Sequence, residues 1–394
     1  MAVARAYVNP AVLAWARIRA GAAIGDVARA ASVAPEVAHA WENGHRSPTF
    51  TQARRVASRL HVPFGTLWLP EPPNEDPLPP DFRATGGAHP HAPSVALRDE
   101  IARVRLLQAW YRDWLDEHDA ARLPFVASAD INDAPDAVAS SIAATLGGLE
   151  AIRTSYGGED FVREITRACE RAGIVVISNG VVGHDTHRPL SVDEFRGFVL
   201  VDDLAPVVHL NRRDAPTARA FTLAHELAHV WFGQSGIDRP DGTDDPASMP
   251  SRDLLWQVER ACNRVAAALL MPEGAVRAHA SITGPANDVI ASVANAFRVS
   301  LAAAHIRLHG LGIISEPWTP LAGEWSDTGL RPAEQSGGNF YRTAVVRTGA
   351  PIMRALLDAV DSGARSVVEV TRLLGVGRDK VDGLRASLTA SRAS

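Results

Sequence analysis

The chain has 394 residues, of which 46% are hydrophobic, and it carries a formal net charge of −5 at pH 7. This length allows two or three domains with buried cores, since one domain takes roughly 100–200 residues. No apolar run approaches the roughly 20 residues of a membrane helix, and the N-terminus lacks the apolar core of a secretion signal. The two cysteines, Cys169 and Cys262, form no disulfide framework, so we expect a cytoplasmic protein without membrane contact.

The charge is distributed unevenly along the chain. Residues 1–70 hold eight arginines against three acidic residues, a formal charge of +5, whereas the remaining residues carry −10. A basic segment attached to an acidic chain favours nucleic acid as the partner of that segment.

Short helices are predicted throughout this basic segment, because apolar residues recur at helical spacing between the breaks. One helix is expected near 24–30, a tight turn at 31–33 and a second helix near 34–42, with Pro35 in its first turn. This spacing and the W-E-x-G ending (Trp41, Glu42, Gly44) resemble the Xre/Cro family of helix-turn-helix domains. The resemblance implies operator DNA as a partner of residues 1–69.

Six residues are candidates for DNA contact. In the Xre/Cro family the start of the second helix faces the bases, and phosphate contacts are open to nearby arginines. The candidates are Pro35, Glu36 and His39 for bases, and Arg19, Arg46 and Arg54 for phosphates. The first three include no Arg, Asn or Gln, the usual bidentate readers of base edges. A helical domain used for protein contacts or homodimerisation is therefore the alternative.

Beyond this segment, residues 70–94 are rich in Pro and Gly and predict a stiff linker, in which we interpret His89 and His91 as linker residues. Helices are predicted at 96–118, with an apolar core-packing stripe, and at 134–147. An amphipathic helix at 160–173 leads into a strand at 174–178. Two further β-branched runs, 195–202 and 205–211, predict short strands.

The sequence TLAHELAHVW at residues 222–231 carries the clearest chemical motif. Residues i and i+4 share one face of an α-helix, so His225 and His229 can direct their imidazoles at one point. Glu226 projects about 100° away, where it can take a proton from a water bound at that point. Half-buried, hydrogen-bonded histidines are the alternative, but the apolar flanks favour a metal ion as their partner.

A long apolar helix is predicted in WQVERACNRVAAALLMP at 256–272. Its one glutamate, Glu259, is the candidate third metal ligand; the alternative is a surface acid paired with Arg260 or Arg264. Cys262 lies one turn along and is a possible soft ligand. We interpret it as a buried thiol, because its neighbours are alanines and leucines.

The segments RAFTLAHELAHVWF and ERACNRVAAALLMP, in this order, resemble the ImmA/IrrE family of zinc metallopeptidases over roughly residues 150–315. The resemblance implies one catalytic Zn²⁺ held by His225, His229 and Glu259, with Glu226 as general base. Members of this family cleave helix-turn-helix repressors and so relieve repression of phage, mobile-element or stress genes. Members with an Xre-type head also occur, and some act as antitoxin-like regulators.

We therefore predict an α+β, mainly helical protein with five segments. They are a helix-turn-helix bundle at 1–69, a linker at 70–94, a helical connector at 95–150, a zincin-like metallopeptidase core with a small sheet at 151–315, and a C-terminal module at 316–394. Within the last, we predict irregular loop at 320–343 and two or three helices at 350–388. That module again has helix-turn-helix spacing, for which packing or protein interaction is favoured over DNA contact.

The leading hypothesis is a cytoplasmic zinc endopeptidase that cleaves a helix-turn-helix repressor. The alternative is a transcriptional regulator or antitoxin that binds DNA or a toxin, with a zinc site that is structural or latent. Self-cleavage in the 70–94 linker is less favoured. For the group that stabilises the oxyanion, His209, Asn211 and Tyr341 are candidates by residue type alone, and ordinary strand-end or loop roles are favoured for each.

Overall fold

The computed structural model describes residues 4–74, 93–234, 252–279, 285–315 and 339–393. These residues form two compact units, residues 4–74 with 93–99, and residues 100–393. Most of the predicted linker, with His89 and His91, and most of the predicted loop at 320–343 lie outside the described residues. The predicted fold class, mainly helical α+β with a small sheet, is confirmed.

The first unit is a cluster of short helices around an apolar core. Its helices are α1 (Pro10–Arg19), α2 (Ile24–Ala31), α3 (Pro35–Glu42), α4 (Phe50–Arg59), a 3-10 helix (Phe64–Trp68) and the start of α5 (Val95–Glu117). Leu13, Val27, Trp41 and Leu60 are among the side chains that fill the core. Asn9 caps α1 by accepting a bond from the Ala11 amide, as a short polar residue at this position typically does.

Helices α2 and α3 lie at the expected positions and are separated by a short turn. Ser32 ends α2 in the left-handed region with φ 56°, which turns the chain sharply. Glu42, at the end of α3, accepts two bonds from Arg17 of α1, at 2.7 and 2.9 Å. The Trp and Glu of the W-E-x-G sequence therefore hold this unit together: Trp41 fills its core, and Glu42 ties α3 to α1.

The second unit contains the sheet and the remaining helices. Its helices are the rest of α5, α6 (Pro135–Thr145), α7 (Glu150–Ser155), α8 (Gly158–Arg171), α9 (Pro216–Phe232), α10 (Arg252–Leu270), α11 (Glu273–His279), α12 (Ala286–Phe297), α13 (Leu301–Gly310), α14 (Phe340–Thr348), α15 (Ala350–Asp361), α16 (Val367–Leu374), a 3-10 helix (Arg378–Lys380) and α17 (Val381–Ala393). Its strands are β1 (Val175–Asn179), β2 (Val181–Val182), β3 (Asp185–Pro189), β4 (Gly197–Leu200) and β5 (Val207–Asn211).

The main sheet has three strands in the order β1-β5-β4. Strands β1 and β5 run parallel, with Ile177 opposite His209, and β4 runs antiparallel to β5, with Phe198 opposite His209. The hairpin β2-β3 follows β1 directly. This hairpin was missed from the sequence, because β3 has the sequence DTHRP and is mostly exposed, so it shows no apolar alternation.

Helices cover both faces of this sheet. On one face, Val208 and Leu210 of β5 pack with Leu223 and Leu227 of α9 in the largest apolar cluster. Because side chains alternate along a strand, His209 lies on the opposite face, where it contacts α5. Gln108 of α5 also donates to the Leu200 and Ala205 carbonyls, at 2.9 and 2.8 Å.

The C-terminal helices pack beside β1. Gly349 joins α14 to α15 with φ 84°, and a Cβ there would lie 2.5 Å from Val175 Cγ1, so a glycine is needed for this close approach. The predicted loop at 320–343 is wrong at its end, because α14 begins at Phe340. Asn339 starts that helix by accepting a bond from the Tyr341 amide at 2.9 Å, a short-range cap that the sequence analysis overlooked.

Within the described ranges, no single helix combines the length and hydropathy of a membrane span. Helices α12 and α13 meet that criterion only as a pair, and they are bent by 110° relative to each other. Their apolar residues, including Val293 and Leu308, form a cluster with Met271 at the end of α10.

Candidate metal centre

Helix α9 carries the two predicted histidine ligands at the centre of the second unit. Pro216 occupies its first turn, where the missing N–H costs no hydrogen bond, and it ends at Gly233 in the left-handed region. Nearly every residue from Arg219 to Phe232 is buried, because α8, α10 and the sheet surround the helix. His225 and His229 are only 1% and 4% exposed.

The structure brings Glu259 of α10 to these two histidines. The His225 and His229 Nε2 atoms lie 3.1 Å apart, on the same side of α9. One Glu259 carboxylate oxygen lies 3.5 Å from His225 Nε2, and the other lies 3.3 Å from His229 Nε2. Two imidazole nitrogens and one carboxylate therefore converge on one point between α9 and α10.

These separations, in which each histidine faces a different Glu259 oxygen, are close to the edge length of a tetrahedral zinc site. Nitrogen and oxygen ligands at about 2.0–2.1 Å from Zn²⁺ in a tetrahedron lie about 3.3–3.4 Å from one another. The observed 3.1, 3.3 and 3.5 Å differ from this edge length by only a few tenths of an ångström. The donor set suits a divalent metal, and its location in an otherwise apolar core gives the three polar side chains a common partner.

Glu226 is buried next to this point and faces the first residue of β4. A Cβ on Gly197 would lie 3.4 Å from Glu226 Oε1, 2.5 Å from Thr222 Cγ2 and 2.9 Å from the His209 carbonyl oxygen. The glycine therefore lets β4 approach α9 closely, beside the carboxylate. Gly197 was expected in a strand, but its close approach to α9 was not; a glycine inside a β-branched run was the available signal.

Cys262 lies one helical turn after Glu259 and is fully buried. Its sulfur and the two histidine nitrogens all lie within 4.8 Å of one another. Burial raises the pKa of the Cys262 thiol. Its exposure agrees with the interpretation of a buried thiol from the sequence, and the structure adds two histidines as neighbours.

The candidate DNA-contact residues all lie in the first unit. Pro35, Glu36, His39, Arg46 and Arg54 are exposed, and His39 is bonded to Asn43 at 2.9 Å. Arg19 differs, because its side chain is only 11% exposed and pairs with Asp99 at 2.6 Å. That ion pair leaves Arg19 poorly placed for a phosphate.

The three oxyanion candidates do not point at the metal centre. His209 Nε2 donates to Glu100 at 3.1 Å, on the face of the sheet away from α9, and burial lowers the pKa of His209. Asn211 donates to the Phe195 carbonyl at 3.2 Å. Tyr341 packs against Gly383 of α17. Their ordinary structural roles, which the sequence analysis favoured, account for all three.

Glu100 was not singled out from the sequence, although its carboxylate is fully buried. It accepts bonds from Arg103 Nε and Nη2, Asn179 Nδ2, the Gly183 amide and His209 Nε2, at 2.9, 2.7, 3.1, 2.8 and 3.1 Å. Burial alone would raise its pKa, but Arg103 and the bond from His209 outweigh burial and hold the pKa of Glu100 below its usual range.

Residues 169–309 match the family model described as the IrrE N-terminal-like domain, Peptidase_M78. This segment contains β1 to β5, α9 and α10, and so includes every residue of the candidate metal centre. Comparison with curated proteins found no match. The second unit thus contains a segment that is similar to a metallopeptidase family model, built around a cluster of side chains suited to a metal ion.

Proposed function

We propose that the second unit is a zinc-dependent endopeptidase that cleaves a helix-turn-helix repressor and thereby relieves repression. The observation that supports it most is the convergence of His225, His229 and Glu259 within 3.1–3.5 Å, with Glu226 buried beside them. His225, His229 and Glu259 are the proposed metal ligands, and Glu226 is the proposed general base.

The proposed chemistry divides the work between the ion and the carboxylate. When bound, zinc supplies a Lewis acid that polarises the scissile carbonyl and lowers the pKa of water to about 7. Glu226 accepts the proton of the attacking water and passes it to the leaving amine. The Gly197 backbone, against Glu226, keeps β4 close to α9 and so limits where this carboxylate can move.

The substrate class rests on the ImmA/IrrE resemblance, since its members cleave helix-turn-helix repressors. In this proposal the first unit directs the peptidase to an operator or to the repressor that occupies it. Pro35, Glu36 and His39 are exposed near the start of α3, as a surface for such a contact requires.

The proposal is tested by incubating the zinc-loaded full chain with the repressor encoded beside its gene and identifying products by mass spectrometry. Glu226→Gln keeps the size of the side chain but removes its basicity, so we expect cleavage to fall by about 10²–10⁴-fold with unchanged zinc content. Glu273→Gln, at an exposed acid of α11, is the matched control and should cleave like wild type. No cleavage by wild type, or equal cleavage by Glu226→Gln, would refute the enzyme proposal.

The exposed arginines of the first unit favour a second candidate function, a DNA-binding regulator or antitoxin with a latent metal site. Arg46 and Arg54 are both exposed, and Arg54 lies over the Phe64 ring, 6.0 Å from its centroid. Fluorescence anisotropy with promoter DNA over a salt series measures this, since each phosphate contact contributes about 0.9 to the slope of log K against log salt. Arg46→Ala/Arg54→Ala should lower the slope by about 2, whereas Arg277→Ala in α11 should leave it unchanged. Equal slopes for Arg46→Ala/Arg54→Ala and Arg277→Ala would refute phosphate contacts by Arg46 and Arg54.

A further inference from the structure

Among the described residues that can share a metal ion at this centre, Cys262 is the one to which the proposed peptidase gives no role. It lies on α10, three residues after Glu259, so both side chains project from neighbouring positions on one face of the helix. Its sulfur lies within 4.8 Å of a ring nitrogen of both His225 and His229.

A thiolate is a strong ligand for the ions that this donor set suits. Zinc binds cysteine sulfur at about 2.3 Å, and a sulfur and a nitrogen on one tetrahedral zinc ion lie about 3.6 Å apart. The sulfur therefore needs to approach the histidine nitrogens by at most about 1.2 Å to enter the coordination shell.

The other cysteine shows what an ordinary buried thiol looks like in this chain. Cys169 on α8 is also fully buried, in the same apolar cluster as Cys262, where it lies with Ile165 and Val176. It is not part of the group of side chains that can share a metal ion. The position of Cys262 is thus not explained by burial alone.

We propose that Cys262 is a fourth protein ligand of the metal ion, so that the resting centre is closed as His₂-Glu-Cys. This rests on the proposed metal centre and adds its regulation: catalysis needs an open position, which exists only while the sulfur is displaced. On binding, the thiol releases its proton to solvent and the sulfur–metal bond forms; on displacement, that bond breaks and the sulfur takes a proton back. The thiolate also favours zinc, cobalt and cadmium over magnesium and manganese.

The test is the electronic spectrum of the cobalt(II)-loaded full chain. A sulfur ligand gives a near-ultraviolet charge-transfer band that nitrogen and oxygen ligands do not give. We expect this band in wild type and in the matched control Cys169→Ala, and its loss in Cys262→Ala and Cys262→Ser with one cobalt ion still bound. Absence of the band from wild type, which needs no variant to fold, would overturn the proposal, and so would its survival in either Cys262 variant.

X-ray absorption of the zinc-loaded chain gives an independent readout, because one sulfur neighbour at about 2.3 Å is expected in wild type and none in Cys262→Ala. Chelator competition should show a loss of zinc affinity of about tenfold or more in Cys262→Ala, since loss of even an outer partner of a ligand costs that much. Equal sulfur scattering, or equal zinc affinity, in wild type and Cys262→Ala would contradict the assignment of Cys262 as a ligand.

The spectroscopic and cleavage measurements test the Cys262 ligand proposal and the peptidase proposal separately. If the band is present but wild type does not cleave the repressor, Cys262 is a ligand and the peptidase proposal fails. If wild type cleaves, we expect Cys262→Ala to cleave faster, because its open position no longer requires the sulfur to leave. Slower or equal cleavage by Cys262→Ala would overturn the closed resting state.

Discussion

Glu100→Gln tests whether the polar cluster beneath the sheet is as important to stability as its geometry indicates. The five bonds to the Glu100 carboxylate come from α5, β1, the turn after β2, and β5. Arg103, which makes two of them, also donates to the Arg347 carbonyl at the end of α14 at 2.9 Å. Glu100 and Arg103 together connect α5, the sheet and the C-terminal helices of the second unit.

The magnitude follows from the bonds on each oxygen. Oε1 accepts three of the five bonds and Oε2 accepts two, so an amide nitrogen at either position removes two or three acceptor contacts and faces donors instead. The Arg103 charge then lacks its carboxylate partner, although its side chain is only 17% exposed. Breaking a buried pair from one side costs about 3–5 kcal/mol, and we expect Glu100→Gln to lie in this range.

The assay is amide hydrogen exchange in a urea series, followed on peptides that contain β1 and β5. A single unfolding transition is not defined for a chain with two units, and these strand amides report on the second unit. Glu273→Gln breaks an exposed pair with Arg277 and should cost less than about 1 kcal/mol. A loss below about 1 kcal/mol in Glu100→Gln, or one equal to that in Glu273→Gln, would refute the reasoning.

The same variant gives a pH dependence of known sign. The pKa of Glu100 is lowered in the folded chain, so its contribution is complete above the unfolded value of 4.5 and is lost as the pH falls below it. The difference in stability between wild type and Glu100→Gln should therefore be largest near pH 7 and shrink in acid. A constant difference from pH 7 to pH 3 would contradict the assignment of an ionised carboxylate.

Three further predictions concern other parts of the second unit. Gly197→Ala should lower stability by about 1–3 kcal/mol, because its methyl group would overpack against Thr222, and adding Thr222→Ser should restore part of that stability. Thermal unfolding measures both variants, and full stability of Gly197→Ala would contradict the contact. Burial raises the pKa of Glu170 to about 7, so stability should fall by at most about 3 kcal/mol as the pH rises from about 4.5 to 7. Glu170→Gln should remove this loss, and identical pH profiles of stability for wild type and Glu170→Gln would contradict the prediction. Metal removal by a chelator should speed amide hydrogen exchange in α9 and α10, because an ion that binds only the folded state stabilises that state by about 4 kcal/mol when its free concentration is 1,000 times its Kd. Unchanged exchange would argue against a bound ion.

The metal centre could be predicted where local periodicity decides the geometry. His225 and His229 share a face because they are four residues apart, and that relation needs no knowledge of the rest of the fold. Glu259 followed from being the one glutamate of the apolar helix predicted at 256–272, after the helix that carries the two histidines. Their roles as ligands stay predictions until a metal is measured.

The Glu100 cluster could not be predicted because its partners are distant in sequence. Glu100 and His209 are separated by 109 residues, and the helix that carries Glu100 shows an ordinary amphipathic pattern. Periodicity indicates which face of α5 is buried but not which strand lies beneath it. The role of Gly197 is hidden for the same reason, since the atoms that exclude a Cβ belong to α9 and β5.

The three-stranded sheet lies between Glu226 on one face and the Glu100 cluster on the other. Phe198 of β4 pairs with His209 of β5 and stacks on its ring at 4.7 Å, while the preceding Gly197 lies against Glu226 on the opposite face. A shift of β4 by one residue would exchange the two faces of the strand, placing a phenylalanine against α9 and a glycine against His209. The bond from His209 to Glu100 fixes the ring on which Phe198 stacks. The position of the strand beside the proposed general base therefore depends on a carboxylate on the far side of the sheet, so Glu100→Gln should alter the cobalt spectrum even though Glu100 touches no proposed ligand.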